Sequence, residues 1–489
     1  MKTAAVDKKT RFFIQVLYRH TIANKSFKMR HVAAWIHKNG CMIADSRIAE
    51  LMSAEVDMFV RNHPRSQEES TRSQESLLAG VPMPWMKRWA GPFPVIADKA
   101  VGGSIVDIDG NLYVDFCLGD TGSMTGHANA PISQAIADQS HRGFTTMLPS
   151  SDLSWVANHL SERFGMSKWQ FCLSATDANR FSLRLARQLT GKPKIVVNDW
   201  CYHGTVDETL VILDEEGKTV SRPGAIGPQV HPGVTTIAVP YNDLLAMESA
   251  LASGEVACVL MEPALTNIGI VLPQNGYLEG VRQLTRKYGV SLILDETHTI
   301  CAGPQGASRL WGIDADMLVI GKTIGGGIPV AAYGMSADIA HKVEHLMHGH
   351  DLDVSGIGGT LSGSALAGAA IRATLTHALR QEDFDIAIPL ATRWSEGVQN
   401  VISQYQLPWT VQQLGCRAEY WFSEHPKNGA QAAASVNDAL ESFMHLYALN
   451  RGILLTPFHN MALMTPFHSE ADVDLHTSVF TACVQELLS

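Results

Sequence analysis

The sequence predicts an α/β protein built on a mostly parallel sheet, and two observations predict it. Between about residues 150 and 380, helical stretches alternate with short β-rich runs. Those runs are solidly apolar rather than alternating, as strands buried on both faces must be. The length of 489 residues exceeds one compact core, so two or three domains are expected.

Taken in order, residues 46–62 (RIAELMSAEVDMFVRNH) show helical apolar spacing. Residues 62–76 are polar and read as a loop or the start of another helix. Residues 81–95 (VPMPWMKRWAGPFPV) carry too much proline for a regular helix throughout and read as a segment wrapped over a surface, such as that of a partner subunit. Residues 103–119 form two alternating runs around Asp109-Gly110, the signature of a hairpin. Helices are then expected over 152–164, 177–190, 242–252 and 277–288. Strands are expected over 194–198 (KIVVN), 235–240 (TTIAVP), 256–262 (VACVLME), 291–296 (SLILDE) and 317–322 (MLVIGK). From about 385 a second, α+β pattern begins, with strands near 417–422 and 452–458.

Composition narrows the function class. Hydrophobic content of 46% and charged content of 18% are those of a globular protein. A net charge of −10 gives no footprint for nucleic acid or an anionic membrane. The eight cysteines are scattered without a CxxC pair, which argues against a zinc site or disulfide framework and fits a reducing cytosol. No apolar run approaches the ~18 residues of a membrane span. Up to Ala44 the only acid is Asp7, a composition shared with transit peptides. A flexible extension, or a true start at Met29 or Met42, explains it as well.

Three features fall at strand ends or helix starts, where α/β sheets collect their chemistry. Lys322 follows the strand MLVIG and precedes Gly325, Gly326 and Gly327. A desolvated lysine amine is a nucleophile toward carbonyls, although a strand-end lysine alone is more often structural. Ser174, Ala175 and Thr176 precede a helix whose first amides could cradle a phosphate, or Ser174 could be a plain N-cap. Asp295 ends the apolar run SLIL, and a buried carboxylate wants a cation. A protonated pyridinium nitrogen is such a cation, so the three together meet the demands of pyridoxal phosphate.

From about residue 103 to the C-terminus the sequence resembles the class III aminotransferases, in particular the group around glutamate-1-semialdehyde aminomutase. DGNLYVDF, GHANAPISQAI, SATDANRFSLRLARQLTGKPKIVV, CYHG, MEPALTNIGIVLPQNGYLEGVRQLTRKYGVSLILDETHT, GKTIGGGIPVAAYGMS and GTLSGSALAGAA match in order. The resemblance implies fold type I of the pyridoxal-phosphate-dependent enzymes. It implies an N-terminal extension over 1–85, a large cofactor domain over 126–385 and a small α+β domain built from 86–125 and 386–489. Lys322 is then the Schiff-base lysine and proton carrier, and Asp295 the partner of the ring nitrogen. Tyr202 and His203 of CYHG, with Thr297 and His298 after Asp295, are cofactor contacts. Tyr202 is expected on one ring face, Thr297 on the other and His298 near the ring 3-hydroxyl oxygen. Ser174, Ala175 and Thr176 are expected at the phosphate, with Thr360 reaching it from the neighbouring subunit of a cytoplasmic homodimer.

The chain departs from the family at Ala175, usually glycine, at Thr297, usually valine, and at Asp120, where the aminomutase has a pocket tryptophan. These positions surround the substrate. Asp120 and Arg417 are therefore the candidate substrate residues, Arg417 because a guanidinium fork suits a carboxylate. Glu262 reads as a structural acid and Arg451 as a helix-end cap. The expected reaction is ping-pong amino transfer from a small amino acid or amine to a keto acid, aldehyde or ketone. An aminomutase or racemase is the alternative, and a catalytically silent binding protein a remote one.

Overall fold

The structure is a computed structural model that describes residues 43–348 and 356–489; the basic N-terminal stretch and Cys41 lie outside the described residues. Its centre is a seven-stranded sheet ordered Lys168–Cys172, Ala331–Met335, Met317–Ile320, Ser291–Asp295, Val256–Met261, Lys194–Asn198 and Thr236–Val239. All pairings are parallel except those of Ala331–Met335, which runs antiparallel to both neighbours. Every residue of Val256–Met261 is buried, which is why that strand reads as an unbroken apolar run.

The expected strands and helices are present with boundaries moved by one or two residues in most cases. Lys194–Asn198 and Tyr277–Tyr288 coincide with expectation, and the hairpin forms from Ser104–Asp107 and Leu112–Asp115. Several strands, Lys168–Cys172 and Ala97–Val101 among them, lie outside the expected set, and two segments are instructive. Ala331–Met335 gives little strand signal because Ala331, Ala332 and Gly334 replace the usual branched residues. Of the expected strand over 452–458, only Ile453–Leu454 is extended, paired parallel to the hairpin's second strand.

Two further sheets flank the site. The strands Ala97–Val101, Ser104–Asp107, Leu112–Asp115 and Ile453–Leu454 form one, in which Ile453 pairs with Val114, so segments far apart in sequence share a sheet. Thr410–Leu414, Arg417–Trp421 and Met461–Leu463 form the other. At its turn, a Cβ on Gly415 would sit 2.1 Å from the carbonyl oxygen of Cys301, so only glycine lets this sheet approach the loop after Asp295.

The polar stretch after residue 62 is the helix Pro64–Ser73, which starts with proline in its first turn. The hairpin carboxylate of Asp109 accepts the amides of Arg65 and Ser66 at 2.7 and 2.9 Å and fixes that start. Arg451 does cap, donating to the Tyr447 carbonyl at 2.8 Å, and it also pairs with Glu55 at 2.9 Å. All seven described cysteines are buried and free. Among the described residues, no helix is long and apolar enough to cross a membrane.

Candidate active site

Asp295 ends its strand at the carboxyl edge of the sheet, 3% exposed. Its Oδ2 accepts Asn179 Nδ2 at 2.8 Å and pairs with His203 Nδ1 at 2.9 Å, while its Oδ1 accepts the Thr297 amide at 3.0 Å. Burial opposes the charge, but His203 foremost, then Thr297 and Asn179, outweigh it and bring the carboxyl down to about 2. The acid is therefore a fixed anion at the floor of a cavity of about 260 Å³.

The helix Ala175–Thr190 lines another side of that cavity with its N-terminus. Ser174 caps it by accepting the Asp177 amide at 3.3 Å, as the plain-cap reading expects. The amides of Ala175 and Thr176 sit in the first turn, where no helical carbonyl reaches them. Thr176 Oγ1 accepts the Thr205 amide at 3.1 Å. This brings the loop after Tyr202 against the cradle, and a Cβ on Gly204 would lie 2.1 Å from that hydroxyl.

Lys322 follows Met317–Ile320 and lines the cavity with a left-handed backbone, φ +48°. Such backbone is costly for a lysine and persists where surrounding structure enforces it. Its Nζ donates to Asp120 Oδ2 at 2.7 Å and also meets His298 Nε2. Asp120 is itself left-handed, φ +49°, and its Oδ1 accepts Arg417 Nη2 at 3.3 Å. Burial opposes the Asp120 charge, but Lys322 foremost, with Arg417 after it, holds its carboxyl well below the usual range. Arg417 is fully buried on its strand, not an edge or surface residue, and its Nε also meets Met461 Sδ.

The structure thus brings together Lys322, Asp295, Ser174, Ala175, Thr176, Tyr202, Thr297 and His298 around one cavity, with Asp120 and Arg417 at the lysine. His203 requires a correction: it is 1% exposed and reaches the cavity only through Asp295. Its neighbour Tyr202 takes the surface position, because alternate residues of an extended segment face opposite ways. Thr360 is exposed and does not line this chain's cavity.

Three contributors escaped the sequence reading. Trp85, in the proline-rich segment expected to wrap a surface, lines the cavity 5.5 Å from the Tyr202 ring. No periodicity announces such a contact. Asn179 is a polar residue on the buried stripe of an amphipathic helix, a signal that was available. Thr266 joins the buried Glu262 to His298.

Comparison with known proteins places the chain in a family. Residues 85–483 match the family described as aminotransferase class-III. A glutamate-1-semialdehyde 2,1-aminomutase 2 of Exiguobacterium sibiricum is 35% identical over 372 residues, 75% of this chain and 84% of that protein. The corresponding aminomutase of Chloroflexus aggregans is 33% identical over 426 residues, 84% and 95% of the two chains. A glutamate-1-semialdehyde-aminomutase structure from Pseudomonas aeruginosa PAO1 has TM-score 0.89 and 44% identity, covering 91% of this chain and 99% of that one. A lysine-to-alanine form of it is solved in complex with PMP. An omega-transaminase from Sphaerobacter thermophilus has TM-score 0.78 and 26% identity, covering 87% and 98%.

Proposed function

The chain belongs to the class-III aminotransferase family of pyridoxal-phosphate-dependent, fold-type-I enzymes, and we propose that it acts as an aminomutase, moving an amino group between neighbouring carbons of one small amino carbonyl compound that carries a carboxylate. The first compound to test is glutamate-1-semialdehyde, the substrate named for its relatives. Transfer between two molecules, the reaction expected first from the sequence, is the second reading. The transaminase likeness favours it, at lower identity than the aminomutase likeness.

The residues present fit the cofactor. Thr297 Oγ1 is buried without a partner at the cavity wall, and the fixed anion Asp295 suits a ring cation. In the proposed arrangement Asp295 holds the ring nitrogen, and Ser174, Ala175 and Thr176 hold the phosphate. Tyr202 and Thr297 flank the ring. When bound, pyridoxal phosphate withdraws electrons from the carbon that bears the substrate's amino group.

The chain's residues supply the rest. Lys322 Nζ is placed to take a proton from that carbon and to return one on the far side of the amino nitrogen. The likeness to the aminomutases, at 44% identity against 26% for the transaminase, carries the aminomutase reading, while Asp120, 2.7 Å from Lys322 Nζ, is a position where this chain departs from them. An intramolecular exchange must retain a molecule with two amino groups until both are exchanged, and an anion beside the reacting amine holds the second ammonium. Arg417, at 3.3 Å from Asp120, is placed to take the carboxylate. Trp85 beside Tyr202 helps to exclude water from the cavity. We further assign a homodimer in which the exposed Thr360 of one copy serves the phosphate of the other.

The deciding experiment is mass balance. Purified enzyme is given glutamate-1-semialdehyde with no keto acid. Conversion to an isomer of unchanged mass supports the proposal. Product formation that requires an added amino acceptor would establish the transaminase reading instead.

A further inference from the structure

Glu262, Thr266, His298 and Lys322 form one chain of hydrogen bonds, and with Glu262 ionised its direction is fixed. Glu262 is 3% exposed. Its Oε1 accepts the Tyr202 amide at 3.4 Å, and its Oε2 accepts the Thr266 hydroxyl. A hydroxyl has a single proton, so Thr266 Oγ1 can only accept from its other neighbour, His298 Nδ1, at 2.8 Å. Nδ1 therefore carries the ring proton. That leaves His298 Nε2 as a bare lone pair, and it meets Lys322 Nζ. Burial first, then the neighbouring Lys322, keep the imidazole well below its ordinary range and so neutral. Burial pushes Glu262 up, toward proton acceptance.

We propose that Glu262, Thr266 and His298 are a proton relay that takes a proton from the Lys322 ammonium and so frees its amine as a nucleophile. An N–H bond at Nζ breaks and its electron pair stays on nitrogen. The proton bonds to His298 Nε2. The Nδ1 proton passes to Thr266 Oγ1 as the Thr266 proton passes to Glu262 Oε2. Lys322 and Glu262 end neutral, and His298 ends as the other neutral tautomer. No further reactant is needed.

The charged groups acting on His298 are Lys322, Asp120, Arg417 and Asp295. Asp120 opposes the transfer by attracting the ammonium, but it also serves Arg417. The relay is the route by which the proton leaves against that attraction. Glu262 is thus a positioning residue with a proton to hold, rather than a purely structural acid. The inference rests on Lys322 as the cofactor-binding amine and not on the choice between isomerisation and transfer.

The test strips the full chain of cofactor and follows its reloading with pyridoxal phosphate by absorbance between pH 6 and 9. Borohydride reduction and peptide mapping place the adduct on Lys322. Thr266→Val is nearly isosteric and breaks the relay, Thr266→Ser preserves it, and Glu262→Gln removes its terminus. Thr266→Val and Glu262→Gln should load about tenfold more slowly than wild type at pH 7 and recover at pH 9, where solvent base removes the proton. Thr266→Ser should keep the wild-type profile. A Thr266→Val chain that loads at the wild-type rate at pH 7 overturns the relay. So does one equally slow at both pH values, since a packing defect does not titrate. Failure of the aminomutase reading would leave these loading rates unchanged.

Discussion

Asp120 and Lys322 lie 202 positions apart in the chain, yet Asp120 Oδ2 is 2.7 Å from Lys322 Nζ. Both have left-handed backbones, so two strained residues meet at one ion pair. Strain of this kind survives because the surrounding fold over-determines it, and here it aims a carboxylate at the Lys322 amine.

Asp120→Asn keeps the shape and removes the charge. Steady-state kinetics should show kcat/KM lower by about 10²-fold, or ~2.7 kcal/mol, within the range of hydrogen bonds to charged groups. The loss should fall mainly on kcat if Asp120 holds an ammonium formed only during the reaction. A variant with unchanged kcat would remove Asp120 from the exchange and return it to a packing role.

Arg417 is buried against Asp120 and Met461. Arg417→Lys retains one charge but loses the planar fork. KM for a carboxylate-bearing substrate should rise about tenfold, with a smaller change for an analogue that lacks the carboxylate. Arg417→Ala should also cost about 3 kcal/mol in denaturant unfolding, because Asp120 then loses a buried partner. Equal KM changes for both substrates would show that Arg417 only supports the fold.

Gly204 has φ +78°, and an added Cβ would lie 2.9 Å from the Thr176 Cα as well as against its hydroxyl. Backbone cannot give way as a side-chain tip can. Gly204→Ala should therefore displace the first turn of the helix Ala175–Thr190. Fluorescence titration should show cofactor affinity lower by about tenfold, with stability lower by ~1–3 kcal/mol. Retained affinity would place the phosphate elsewhere.

The proposed dimer makes a prediction of its own. Light scattering should give twice the mass of the 489-residue chain. Mixing Lys322→Ala chains with Thr360→Val chains should yield hybrids with one intact site. In those hybrids both defects fall in the same site, if Thr360 serves the other copy. Recovery of activity on mixing two chains inactive alone supports the exchange; no recovery in confirmed hybrids removes Thr360 from the phosphate.

Five of the seven central strands were legible because they leave solid apolar runs; Lys168–Cys172, with Lys168 and Gln170 exposed, and Ala331–Met335 do not. Asp295 and Lys322 were legible because a charge at the end of such a run is costly without a purpose. Asp120 and Arg417 could be picked out singly, but not their bond, since it joins segments 297 positions apart. Trp85 and Thr266 carry no local pattern. Their roles follow from where two distant loops stop, which periodicity does not encode. Ala331–Met335 hid for the opposite reason: its small residues are required by tight packing, since a Cβ on Gly334 would lie 2.7 Å from Met166.

Glu441 offers a test of electrostatics away from the lysine. Burial foremost pushes its carboxyl up to about 7 from an ordinary 4.5; the nearby His459 pulls the other way, and Asp438 and Glu419 add smaller contributions to the rise. A carboxyl raised on folding binds its proton more tightly in the folded chain. Its contribution therefore favours the fold at low pH and is lost as pH rises from 4.5 through about 7. Glu441→Gln mimics the protonated acid at every pH. Its unfolding midpoint should match wild type near pH 4.5 and exceed it at pH 8 by about 1 °C for each kcal/mol recovered, as the unfolding entropy of a chain of 489 residues implies. Equal midpoints at pH 8 would mean that solvent or His459 already satisfies the charge.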